Sequence, residues 1–305
     1  MSEEGAASTH CGFAALVGAP NAGKSTLVNA LVGAKVSIVS RKAQTTRMQV
    51  RGVMIEGQSQ IVLVDTPGIF APKRRLDRAM VASALSGAKD ADLNLLIVDA
   101  RKGSDEEVLA LIKQLSQSAA PKWLVLNKID VVPRERLLAL AKELNEAQKF
   151  EETFMVSAQT GDGLDRLRAR LAPAMPASPW LYPEDQLSDA PLRMLAAEIT
   201  REKLFERLHD ELPYESTVET TSWTNQKDGS ARVEQTIYVA REGQKKIAIG
   251  EGGRTIKAIG QAARAEISEA ADQKIHLFLF VKVRENWADD PERYREMGLE
   301  FPKGG

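Results

Sequence analysis

Cysteine occurs once in the 305 residues, at Cys11, so no disulfide can form within the chain and a reducing compartment is expected. The histidines His10, His209 and His276 are widely separated and show no metal-ligand spacing. Aromatic residues make up 5% of the chain, and Trp180, Trp223 and Trp287 read as packing residues rather than base stackers. Apolar stretches such as Leu93–Val98 and Phe278–Val281 fall far short of the ~18–20 residues of a membrane span. The opening MSEEGAASTHCG is acidic and polar where a signal peptide would be basic and then apolar. Neither secretion nor membrane spanning is therefore expected. There is also no excess of one charge, the net being −1. Divided near residue 180, however, the first part holds 23 Lys+Arg against 19 Asp+Glu and the second 18 against 23, or +4 and −5. RNA binding in the second part must therefore rest on a local patch.

The chain does have alternating short apolar runs and helical patterns. Phe13–Gly18, Ile61–Asp65, Leu93–Asp99, Lys122–Asn127 and Thr153–Ser157 read as buried strands, rich in Val, Leu and Ile. Helices are expected at about Lys24–Val32, Arg75–Ala88, Asp105–Ser116, Arg134–Ala147 and Leu164–Leu171. This alternation predicts a doubly wound, mostly parallel α/β sheet over residues 10–172. Four prolines then make residues 173–190 a stiff, extended connector. Over residues 191–287 the order becomes helix, strand, strand, helix, helix, strand: a helix at about Pro191–His209, strands at Ser216–Thr224 and Ala231–Ala240, a short helix, a helix at about Arg254–Ala271, and the strand Ile275–Val283. That is an α+β domain of its own, and residues 288–305 form a tail.

Four strand ends carry chemistry. Gly18–Ser25 (Gly18, Ala19, Pro20, Asn21, Ala22, Gly23, Lys24, Ser25) is a complete G-x-x-x-x-G-K-[ST] phosphate loop between a strand and a helix. Backbone N–H groups and the positive helix end suit phosphate, Lys24 reaches the terminal phosphates, and the Ser25 hydroxyl suits Mg²⁺. In Asp65–Gly68 (Asp65, Thr66, Pro67, Gly68), the carboxylate can hold the metal through water and the Gly68 N–H can meet a γ-phosphate. In Asn127–Asp130 (Asn127, Lys128, Ile129, Asp130), the Asp130 carboxylate accepts two donors from guanine, whereas adenine would oppose it with an acceptor. The Lys128 stem covers the base, and after Ser157 the Ala158 N–H is placed to bond the guanine O6.

In the second domain, Gly250–Gly253 (Gly250, Glu251, Gly252, Gly253) is a GxxG turn between two helices, the form that lets an RNA backbone approach closely. Its neighbours Arg241, Lys245, Lys246, Arg254, Lys257 and Arg264, against Glu242 and Glu251, give +4 within an otherwise acidic domain. Ile249, Ile256 and Ile259 read either as the floor of a base-binding groove or as ordinary core. Lys73, Arg74 and Arg75 read as a solvated basic cluster, with phosphate contact as the alternative.

The phosphate loop, QTTRM (Gln44–Met48), DTPG, NKID and SAQ are similar to the five motifs of translation-factor-class GTPases. With one such domain and a type II KH-like domain behind it, the chain resembles the Era family of bacterial ribosome-assembly GTPases from about Phe13 to Val283. The resemblance implies GTP and GDP as ligands, slow hydrolysis of GTP with Mg²⁺, and catalytic parts for Lys24, Thr46, Gly68 and Asn21. Thr46 would join Ser25 and Asp65 at the metal in the GTP state. Residues 33–49 would be the first switch and 69–80 the second. Ile69 stands where related GTPases often carry a water-orienting glutamine, and the family resembled likewise carries a hydrophobic residue there. Asn21 has two readings, a K⁺ ligand that replaces an arginine finger or a support of the loop turn. The family further implies binding near the 3′ end of 16S rRNA, action on the small ribosomal subunit, a cytoplasmic location with peripheral inner-membrane contact in some members, and no obligate protein partner. RNA contacts would fall to Lys245, Lys246, Gly250, Glu251, Gly252, Gly253, Arg254 and Lys257. Other readings stay open here: a cell-cycle or membrane-signalling GTPase whose second domain binds protein, and an RNA-binding protein with a barely hydrolytic, regulatory nucleotide site. The related GTPase with two G domains is disfavoured by the single phosphate loop.

Overall fold

The computed structural model describes residues 9–40, 42, 44–209 and 212–302. The start of the N-terminal segment, Arg41 and Ala43 of the expected first switch, and the end of the tail lie outside the described residues. The chain divides into two compact units, residues 1–37 with 46–189, and residues 38–45 with 190–305.

The first unit is a six-stranded sheet in the order β2-β3-β1-β4-β5-β6. Its strands are β1 His10–Val17, β2 Val50–Glu56, β3 Ser59–Asp65, β4 Leu93–Asp99, β5 Lys122–Asn127 and β6 Glu152–Val156. All neighbours run parallel except β2 and β3. Every residue of β3 and β4 is buried, as a strand covered on both faces requires. Helices α1 Lys24–Val32 and α5 Leu164–Ala174 cover one face through Leu27, Leu31, Leu167 and Leu171. Helices α2 Arg75–Asp90, α3 Glu106–Leu115 and α4 Arg134–Ala147 cover the other through Ala84, Leu111, Leu140 and Leu144. At the start of α3, the Asp105 carboxylate accepts the Val108 N–H at 2.9 Å and caps the helix.

Two features depart from the sequence reading. Strand β2 was not expected. It is an edge strand, and Gly52 breaks its apolar pattern because a Cβ there would lie 2.8 Å from Val32 of α1. The glycine serves the close approach of helix to strand. The expected proline-rich connector is instead held along this unit. Helix α5 continues through Pro173 to Ala174, Ala177 bridges His10, and the Gln60 amide carbonyl accepts the N–H groups of Leu181 and Tyr182 at 2.9 and 3.0 Å. The Leu187 carbonyl accepts the Val53 N–H, and Arg51 pairs with Asp189 at 3.1 Å.

The second unit comprises α6 Leu192–Arg207, β7 Ser216–Asn225, β8 Ala231–Val239, α7 Glu242–Ile249, α8 Arg254–Ala270, β9 Ile275–Val283 and α9 Pro291–Glu296. This is the expected order, with α9 added in the tail. The sheet order is β7-β8-β9, with β7 antiparallel and β9 parallel to β8. The helices α6 and α8 pack on one sheet face through Ala196, Ile199, Ala263 and Ile267. Within this unit the Val39 N–H donates to Glu202 Oε1 at 2.6 Å, and the Arg201 guanidinium donates to the Thr45 carbonyl. Arg201 and Glu202 are 1% and 2% exposed, so they hold Val39 and Thr45 from a desolvated position.

Candidate nucleotide site and GxxG turn

The register brings the carboxyl ends of the parallel strands to one rim: Leu16 lies beside Asp65, Asp99 beside Asn127, and Asn127 beside Val156. Each expected nucleotide motif leaves the sheet there, in the crevice where ligands of open α/β sheets bind. The phosphate loop runs from the end of β1 into α1, with Asn21 at φ 63 and Gly23 at φ 95. Lys24 is buried, and its ammonium donates to the Gly18 and Ala19 carbonyls at 3.0 Å each. The Asp65–Gly68 turn lies against this loop. The Ile69 N–H donates to the Gly18 carbonyl at 3.2 Å, and a Cβ on Gly68 would lie 3.0 Å from Pro20.

Asn127 ties three motifs together. Its amide donates to the Ala22 carbonyl at 2.9 Å, and its carbonyl accepts the N–H groups of Lys128 at 2.8 Å and Ala158 at 3.1 Å. The Ala158 N–H, expected to face the guanine O6, is thus bonded to Asn127 in this structure. Lys128, left-handed at φ 67, reaches across the phosphate loop to the Asn21 carbonyl and pairs with Asp99 at 2.8 Å. Burial alone would raise the Asp99 carboxyl, but hydrogen bonds from Arg101 and Lys128 and the Lys128 charge outweigh it and hold it at about 2. Asp99 and Asn127 therefore hold Lys128 and the loop at Ala158 in place. Asp99 had no motif to mark it; its place at the end of β4, one strand from Lys128, was the available signal. Asp130 is exposed, and its carboxylate accepts the Ser157 hydroxyl at 2.6 Å.

The three expected metal-site residues of the first unit provide a hard-oxygen set. The hydroxyls of Ser25 and Thr46 are 2.9 Å apart. Asp65 is buried, Ser37 donates to its Oδ2 at 2.6 Å, and its Oδ1 has no hydrogen-bond partner. Burial raises its carboxyl, and the Ser25 and Ser37 hydroxyls and Lys24 pull it back. An orphaned carboxylate oxygen beside paired hydroxyls fits Mg²⁺, which takes few protein oxygens and completes its shell with phosphate and water. Bound there, the ion would neutralise charge on the β- and γ-phosphates. Ile69 is 5% exposed in the apolar core and offers no group to orient a water. The positioning of an attacking water is therefore left to other groups.

Burial also draws the Lys24 ammonium from 10.5 down to about 8, against the pull of Asp65 and with the push of Lys128. A phosphate must raise it again. GTP affinity should therefore stay level below about pH 8 and fall by up to about tenfold per pH unit above it, as the free protein must then take up a proton to bind. Calorimetry at pH 9 in buffers of different ionisation enthalpy would show that uptake, and its absence would rule out the linkage.

In the second unit, α7 ends at Ile249 and α8 begins at Arg254, with the GxxG turn between them. Gly250, Gly252 and Gly253 have φ of 74, 58 and 77. A Cβ on Gly250 would lie 2.2 Å from the Thr255 hydroxyl, so glycine is required at that position. Glu251, Gly252, Arg254, Lys246 and Lys257 are exposed around the turn, and Lys245 is half-buried. Arg254 pairs with Glu251, an exposed pair of little energetic weight. Ile259 is fully buried in the core and is not a groove residue; Ile249 and Ile256 are half-buried. Ile247, missed in the sequence, is 57% exposed on the same short helix.

The fold and site define a class: a P-loop GTPase with guanine-selective motifs, followed by a KH domain. A family model described as a 50S ribosome-binding GTPase matches residues 13–128, and a KH-domain model matches residues 211–288. GTPase Era of Afipia carboxidovorans is 66% identical over 99% of this chain and 98% of its own length, and that of Brucella suis is 63% identical over 98% and 96%. The crystal structure of Era with MgGDPNP and nucleotides 1506–1542 of 16S ribosomal RNA superposes with a TM-score of 0.90 at 37% identity, covering 95% of this chain and 99% of that one. A point variant of Aquifex aeolicus Era bound to GDP·AlF4⁻ superposes equally well, at 37% identity and the same coverage. The chain belongs to the Era family of GTPases.

Proposed function

We propose that this GTPase uses its nucleotide state to govern binding of single-stranded RNA near the 3′ end of 16S rRNA during small-subunit assembly. The observation that carries the reading is the outward GxxG turn, with its +4 stretch, on a domain whose half of the chain is −5. Bulk attraction cannot hold RNA to such a domain, so contact must start from a local basic feature, which the turn supplies. The solved relative with a 16S rRNA fragment supports the choice of RNA. Replacing Glu251 and Gly252 by Asp places negative charge at the closest approach and keeps both motif glycines. Aspartate tolerates the left-handed conformation at Gly252 better than most residues. Binding of single-stranded rRNA should fall at least about tenfold, or about 1.4 kcal/mol, with GTP affinity unchanged. If a folded double variant held RNA as wild type does, the second domain would be better read as protein-binding.

K⁺ is proposed to assist hydrolysis through Asn21. Ile69 cannot stabilise charge or orient water, which leaves that work to another group, and Asn21 lies in the phosphate loop. Hydrolysis should be faster in K⁺ than in Na⁺ at matched ionic strength, and equal rates would dismiss the cation while leaving the GTPase intact. None of the described helices is long and apolar enough to cross a membrane. Any membrane association is accordingly proposed to be peripheral.

A further inference from the structure

The two faces of the β7-β8-β9 sheet are unlike. Leu277, Leu279, Val281 and Val283 of β9 turn inward to the core beneath the helices. His276, Phe278, Phe280 and Lys282 alternate with them and are exposed. Phe278 and Phe280 are 41% and 46% exposed on the outer face of an edge strand. Two large rings in water are costly unless something covers them.

The chemistry around them selects the occupant. Residues two apart on a strand are about 6.7 Å apart, so the rings form a flat pair of steps, as aromatic residues do in the RNA-binding sheets that stack successive bases. The Arg232 guanidinium lies 4.5 Å from the Phe278 ring centre. His276 and Lys282 flank the rings on the same strand. Glu234, opposite Phe278, is neutralised by Arg232 at 2.8 Å, and Glu219 on β7 by Arg293 at 2.8 Å. Ser222 and Thr224 of β7, opposite Glu234 and Arg232, add two hydroxyls, whereas Thr236, opposite Phe280, is buried. At the far end, Arg293 of the tail lies 5.0 Å from the Tyr238 ring centre, so α9 occupies that end and leaves the phenylalanine end open. Exposed rings, one of them under the Arg232 guanidinium, with Lys282 and hydroxyls beside them, suit a single-stranded nucleic acid better than the apolar core of a protein interface.

We propose that the outer sheet face, centred on Phe278 and Phe280, is a second single-stranded RNA platform that stacks nucleotides lying beyond those held at the GxxG turn. This rests on the RNA reading above. The two sites share β9, one on each side of the strand, so a single RNA chain can pass around the open sheet edge from one to the other.

The test uses the full chain and two oligoribonucleotides from the 3′ end of 16S rRNA. One has about four nucleotides, a single KH clamp, and the other about twelve. Two double variants are compared, Phe278→Ala with Phe280→Ala, and Phe278→Leu with Phe280→Leu. Each should bind the longer strand at least about tenfold more weakly than wild type and the shorter strand equally well, with GTP affinity unchanged. Leucine keeps apolar area and removes stacking, so wild-type affinity in the leucine variant would overturn the platform and point to a protein partner. Equal loss on both strands would also overturn it, because the platform serves only the nucleotides beyond the clamp. A single Phe280→Trp variant gives an independent readout. Its emission should be quenched by the longer strand and not by the shorter, and no change with saturating longer strand would sink the idea. If wild type bound neither strand, the RNA reading itself would fail and the platform with it.

Discussion

Gly23→Ala should lower GTP affinity by at least about a hundredfold, roughly 3 kcal/mol. Gly23 has φ 95, and an L-residue pays about 1–2 kcal/mol merely for left-handed backbone. The larger effect is steric. A Cβ at this position would lie 2.3 Å from the Asn127 amide nitrogen, which must move. Asn127 is 1% exposed and bonds the Ala22 carbonyl and the Lys128 and Ala158 N–H groups, so displacing it strands buried partners at about 1–3 kcal/mol each. The phosphate loop, the base-binding loop and the loop after β6 would loosen together. Titration with a fluorescent GTP analogue measures the loss. An affinity within about threefold of wild type would show that Asn127 has room to shift and is not a rigid tie.

A change of base preference is expected from Asp130→Asn. The carboxylate can accept both guanine donors, while the Ser157 hydroxyl, 2.6 Å away, holds one of its oxygens in place. An amide has one acceptor and one donor. It loses a charge-assisted hydrogen bond of about 1.5–3 kcal/mol, and GTP binding should weaken by about tenfold or more. Xanthine carries a carbonyl where guanine carries its amino group and can accept from the new amide. The variant should therefore prefer the xanthine nucleotide. Competition between GTP and XTP measures the exchange, and unchanged GTP affinity would remove Asp130 from the site. The two variants probe different layers: Gly23→Ala disturbs the scaffold behind both nucleotides, whereas Asp130→Asn should leave the phosphate contacts intact.

Much of the fold was legible. The helices Lys24–Val32 and Arg134–Ala147 and the strands Lys122–Asn127 and Ile275–Val283 lie where their periodicity placed them, because each buries a regular apolar stripe. Strand β2 was hidden because Arg51 is exposed and Gly52 interrupts the pattern, and the reason for that glycine is Val32, at the end of a helix twenty residues earlier in the chain. The proline-rich segment was legible as extended. Its attachment was not, since it depends on partners such as Gln60 and Arg51 that proline content says nothing about.

For the site, the sequence by itself determined the nucleotide motifs, the Asp130 carboxylate expected to read guanine, and the GxxG turn. Each depends on a few consecutive residues whose backbone freedom or base-facing groups are local properties. Tertiary structure alone decided what holds them. It placed Asn127 among three motifs, gave Lys128 its Asp99 partner, left one oxygen of Asp65 bare beside two hydroxyls, and set Glu202 and Arg201 against Val39 and Thr45. It also decided which side of β9 meets the core. The run IHLFLFVKV reads as one buried strand, yet pairing with β8 and packing under the helices sends only alternate residues inward and leaves Phe278 and Phe280 in water. Contacts of that kind join residues far apart in the chain, and no local pattern encodes them.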